Sequence, residues 1–327
     1  MYINKMAISF IVFFLLLTQI LVVQSCLAEN RSLVSKLRAK IPLIHGTLVI
    51  AMPIADGVLL MADRAARTID GIPHEDDKIT QIDKYTVVIS TNASKKGYEG
   101  EKPIFSANDI STAILSSKNI SGSIIPYLGT LGRALAQGFI DNNSPEEAER
   151  ATALGKAGLV FQALLYHYDQ IDGRFECPVI KVSYVPANSP SQAQIFWTTA
   201  KEKQPAGLNI EIEENKDADF SVAQIVPSGR IDFFYLLQSG HSPSFVSEDF
   251  KKHFIHHPPA RDISLHEGLA VLTEAFVDTI KFERARGEDP IGTVLDSALL
   301  SPKTGFQWVW NKHLIPAQQM ETSKSSF

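Results

Sequence analysis

The order of the apolar runs constrains the fold of this chain more than any other feature. Short β-rich runs fill residues 47–53 (TLVIAMP) and 57–62 (GVLLMA), followed by 78–83 (KITQID) and 85–91 (YTVVIST). Asp56-Gly57 between the first two is a hairpin signal. Helical spacing follows at Leu128, Leu131, Leu135 and Phe139. A second helix start lies at Ser144-Pro145-Glu146-Glu147, with a capping serine, an N1 proline and acids in the first turn. That helix is expected to run to about Tyr168. Strands return at 179–185, 192–199 and 220–226, then a helix over 229–239. Residues 264–284 predict an amphipathic helix opened by a Ser264/Glu267 capping box. Two apolar runs, 292–300 and 305–310, close the chain around a Ser301–Gly305 turn. Strands and helix pairs grouped in this way predict an α+β domain, with two sheets packed face to face between helix pairs. Residues 94–126, rich in Lys, Gly, Ser and Asn, read as an insertion or long loop with room for one short helix.

The N-terminus predicts export. Lys5 precedes an apolar run from Ala7 to Val23, and Cys26-Leu27-Ala28 offers small residues at cleavage spacing. This is the three-part pattern of a signal peptide over 1–28. A retained anchor and lipidation at Cys26 are the alternatives, and only these two would tie the chain to a membrane. All three readings place the remainder outside the cytoplasm, periplasmic or secreted. Residues 29–46 read as a pro-segment, 47–315 as the domain and 316–327 as a tail. Loss of 1–28 leaves Cys177 alone, so no internal disulfide is expected. With 31 basic and 36 acidic side chains, the chain has no basic surplus for a nucleic-acid partner.

Gly46-Thr47 opens the first strand, Asp63-Arg64 lies sixteen residues on, and Lys78 begins the third strand. This layout resembles the proteasome β-subunit family of N-terminal nucleophile hydrolases, from residue 46 to about 311. The resemblance implies a four-layer αββα sandwich, with Thr47 as nucleophile and Asp63 and Lys78 as its partners. It also implies cleavage between Gly46 and Thr47. A threonine hydroxyl is a weak nucleophile until a base takes its proton. The α-amine freed by cleavage, with a pKa near ~8, is a base tethered to the same residue. A lysine held by an aspartate supplies positive charge that favours the neutral amine and a more acidic hydroxyl. Asn92 falls near the position of the backbone oxyanion donor, where the family usually has glycine. Ser239 resembles a supporting serine. Glu288 or Asp289 stands near a supporting acid, and Ile291 or Gly292 where another supporting serine would be.

The function expected from these residues is a self-processing threonine-type peptidase acting on peptide or amide substrates. A small-amide acylase and a non-catalytic assembly or binding protein of the same fold are the alternatives, and a homo-oligomer is left open. No cofactor or metal is expected. His253, His256, His257 and His266 lack acid or cysteine partners at convincing ligand spacing.

Overall fold

The computed structural model describes residues 42–45, 48–68, 73–99, 102–153, 158–187, 193–197, 205–214, 219–229, 231–287 and 292–316. The expected signal peptide, most of the pro-segment and most of the tail lie outside these residues. The described chain is α+β, with two antiparallel sheets.

The strands are β1 (Pro42–His45), β2 (Leu48–Ile54), β3 (Gly57–Asp63), β4 (Ala65–Thr68), β5 (Pro73–Glu75), β6 (Ile79–Gln81), β7 (Thr86–Glu99) and β8 (Lys102–Ser106). After the first helices come β9 (Leu159–Asp169), β10 (Arg174–Glu176), β11 (Val179–Val185), β12 (Ile195–Phe196), β13 (Gly207–Glu213), β14 (Val226–Gly229), β15 (Val294–Ser301) and β16 (Gly305–Leu314). The helices are α1 (Ala107–Ser116), α2 (Leu128–Asn142), α3 (Pro145–Ala153), α4 (Asp232–Gln238), α5 (Glu248–His256) and α6 (Leu265–Ala285). The smaller sheet runs β14-β2-β3-β15-β16. The larger follows β12-β13-β11-β9-β7-β1-β4-β5, with β10 on β9, and β6 and β8 on β7.

Alternation along the strands explains why their sequences are apolar throughout. Leu48, Ile50 and Met52 of β2 share one core with Phe233, Phe250, Leu272 and Phe276 of the last three helices. The intervening Val49 and Ala51 share another with Leu60, Val87, Ile89 and Leu164, drawn from both sheets. Val88, Phe161 and Leu165 join the leucines of α2 in a third. A strand buried on both faces needs no polar side and reads as a continuous hydrophobic run.

Three sequence expectations change. Residues 94–126 hold, besides the short helix α1, the end of β7 and all of β8, strands that were not expected there. The second helix stops at Ala153, and Leu159–Asp169 is a strand in the middle of the larger sheet. Gly158, at φ +75°, precedes that strand. Its run LVFQALLYHY is apolar enough for either period, and burial against β7 and β11 decides it. The strand expected over 192–199 is only Ile195–Phe196 among described residues, whereas Gly207–Glu213 forms a full strand on β11.

Helix α6 begins at the capping box read from the sequence. Its buried side carries an unusual member: Asp278 is 2% exposed. Lys281 Nζ lies 3.4 Å from its Oδ1, while Oδ2 has no hydrogen-bond partner. Burial pushes this carboxyl up to about 6; Lys281 opposes the rise and Glu274 adds to it. The folded value exceeds the unfolded one. The group's stabilising contribution is therefore full below the unfolded pKa and is lost as pH rises through about 6. Asp278→Asn should thus exceed the parent in stability by about 2 kcal/mol above neutral pH, the gap closing below ~pH 4. Urea unfolding at the two pH values measures it.

Candidate functional site

Asp63 closes β3 and is completely buried. Its Oδ1 accepts from Lys78 Nζ at 2.8 Å and from the backbone N–H of Leu48 at 3.0 Å. Its Oδ2 accepts from the N–H of Gly292 at 2.9 Å. One carboxylate therefore ties together the start of β2, the end of β3, the residue before β6 and the approach to β15. Leu48 N–H is the amide that directly follows residue 47 in the chain.

Lys78 is also buried, at 2% exposure. Its ammonium donates to Asp63 and to the carbonyl of Ala65 at 2.6 Å. Burial lowers the lysine below the ordinary ammonium range, against the pull of Asp63. Burial likewise raises Asp63, against Lys78 and the two backbone donors. Burial thus works against the charged form of both groups, while their ion pair and the backbone donors to Asp63 favour it.

Several neighbours hold the pair in place. Asn108 of α1 donates to the Lys78 carbonyl at 3.2 Å and to Thr80 Oγ1 at 2.8 Å. Arg64, next to Asp63, pairs with Asp296 at 2.6 Å and with Asp77. Asp296 in turn accepts from the Lys312 N–H, which links the site to β16. At Gly292 an added Cβ would sit 2.7 Å from Ala65 Cβ and 2.8 Å from Ala65 N. A bare backbone is what lets residue 292 approach closely enough to donate to Asp63.

β1 ends at His45, three residues before Leu48. β1 pairs antiparallel with β4 through Leu43 and Ile44, and with β7 through Pro42, Leu43 and His45. His45, the last residue of the strand, is opposite Asn92. Asn92 adopts φ +63°, the left-handed backbone expected of a residue standing in for glycine.

Of the residues singled out from the sequence, the structure brings Asp63 and Lys78 together. Gly46, Thr47, Glu288, Asp289 and Ile291 lie outside the described residues. Ser239 is not joined to the pair. It caps α4, exposed, and its hydroxyl bonds Leu236 O and His241 Nδ1 in its own turn. Gly292, read as a missing serine, contributes its amide instead. Asn108 was missed because it sits in the segment read as a loop. Among the described residues no cluster of three or more histidine, cysteine, aspartate or glutamate side chains could hold a metal ion.

No family model matches the chain, and no curated protein matches it. Among solved structures it is similar to the Anbu (Gly-1) mutant from Hyphomicrobium sp. strain MC1. The TM-score is 0.38 and the identity 11%, covering 80% of this chain and 86% of that one. A superposition this loose defines neither a shared fold nor a shared activity.

Proposed function

We propose that this chain is an exported, self-processing threonine-nucleophile amide hydrolase, a peptidase whose nucleophile is Thr47. The observation that carries this reading is the buried Asp63–Lys78 pair, bonded to the N–H of the residue that follows Thr47. A buried lysine is expensive, and its pair contributes little net stability. Chemistry at residue 47 gives that expense a purpose. The sharing of core residues among the two sheets and the flanking helices supports a four-layer αββα sandwich.

In the first turnover the Thr47 hydroxyl attacks the Gly46 carbonyl, and the peptide bond becomes an ester. Water then cleaves the ester, releasing the leader and leaving a free α-amine on Thr47. The placement of β1 between β4 and β7 supports this step, because the leader then enters as an extended strand ending next to residue 46. In later turnovers the α-amine takes the hydroxyl proton as Thr47 attacks a substrate carbonyl and delivers it to the leaving amine; water then hydrolyses the acyl-enzyme ester on Thr47, releasing the acid and restoring the hydroxyl. Lys78 provides the positive charge that favours the neutral α-amine. The Asn92 amide is the donor assigned to the developing oxyanion.

The N-terminal sequence and intact mass of purified protein test this reading, with Thr47→Ala beside it. The parent is expected to begin at Thr47, and the variant to keep its pro-segment. A chain beginning near Glu29 in both would overturn it.

A further inference from the structure

A cleft of about 490 Å³ runs along α6 and shares no lining residue with the Asp63–Lys78 site. Phe245, Val277 and Trp310 give it apolar and aromatic walls, and Glu274, Asp278 and Lys281 line it as well. Asp278 is the decisive group. It is 98% buried, yet its Oδ2 has no donor. A buried carboxylate oxygen left without a hydrogen bond is costly, and native proteins seldom keep one without a use. Lys281 does not fill the vacancy. Its Nζ is on the other oxygen, at 3.4 Å, and also lies 5.8 Å from the centre of the Phe245 ring.

The charge balance says what would fit. Two carboxylates face one ammonium, with the exposed imidazole of His266 at the rim. An anion is disfavoured there. A cation gains both the unpartnered carboxylate oxygen and an indole wall, since aromatic faces attract cations.

We propose that this cleft binds a small amphiphilic ammonium compound, its apolar body against Phe245, Val277 and Trp310 and its ammonium donating to Asp278 Oδ2. Oδ2 is covered in the structure, so docking requires a side chain beside it to move, and Lys281 is the cation already on Asp278. Lys281 is therefore a competitor for the site, and removing its charge strengthens binding.

The probes are 2-phenylethylammonium and its neutral counterpart 2-phenylethanol, titrated into the full chain near neutral pH. Tryptophan fluorescence and calorimetry are the readouts. The expected result is saturable one-to-one binding of the ammonium compound, with the alcohol at least about tenfold weaker. Asp278→Asn should weaken the ammonium compound by about tenfold or more, and Lys281→Gln should tighten it. Asp278→Asn removes a buried charge whose Oδ2 has no donor, so it keeps the fold, which circular dichroism verifies. No saturable binding up to ~10 mM would overturn the proposal. So would equal affinity for the alcohol, or unchanged affinity in Asp278→Asn.

Discussion

Lys78→Met is expected to lower kcat/KM for amide hydrolysis by at least about a thousandfold and to leave the pro-segment attached. The same substitution should destabilise the fold by about 3–5 kcal/mol, because it leaves Asp63 buried beside two backbone donors and no cation. Loss of activity alone could therefore reflect damage to the fold. The double variant Asp63→Asn, Lys78→Met separates the two effects. It carries no charge at these two positions, and an asparagine oxygen can still accept from Leu48 N–H. Its amide group faces the Gly292 N–H, a donor against a donor, so that bond is lost, as is the one from Lys78 to the Ala65 carbonyl. Stability should return to within about 1–2 kcal/mol of the parent. Hydrolysis and processing should stay absent. Urea midpoints and peptide-amide turnover measure the two quantities on the same preparations. If the double variant hydrolyses at the parental rate, Lys78 has no chemical role and the proposed mechanism is wrong.

The Asp63–Lys78 pair was legible because its geometry is local. Fifteen residues separate the partners, and both stand at strand ends in a run of short antiparallel strands. The β2–β3 hairpin was legible for the same reason, though with a shift: Ala55 and Asp56 make the turn, and Gly57 already pairs with Ile54. What was not legible is whatever depends on a distant backbone. Gly292 reaches Asp63 through its N–H, a group every residue but proline carries, so no side-chain search could find it. The pairing of β1 with both β4 and β7 is likewise a main-chain event, and PLIH shows no alternation that announces it. β9 was misread because a strand buried on both faces has no period to detect. α5 went unread although Ser247 caps it, with its side chain accepting from Phe250 N–H.

Gly57→Ala is expected to cost about 3 kcal/mol or more, although it adds a single methyl group. Two separate demands fall on this residue. Its φ of +145° is a backbone region that side chains rarely adopt. An added Cβ would also stand 2.2 Å from the Leu300 carbonyl oxygen and 3.0 Å from Ser301 Cα. Both atoms are backbone in β15, so no rotamer change relieves the clash, and the strand itself must move. β15 pairs with β3 from Leu295 to Leu300, opposite Asp63 to Val58. Displacing it works against the same ladder that brings Gly292 up to Asp63. Activity should therefore fall together with stability, even though Gly57 lies at the far end of β3 from the carboxylate. Ala55→Gly, at the exposed tip of the same turn, serves as the control and should cost under about 1 kcal/mol. Denaturant midpoints for the two variants decide the matter. A Gly57→Ala midpoint as close to the parent as that of the control would mean that β3 and β15 do not approach as described.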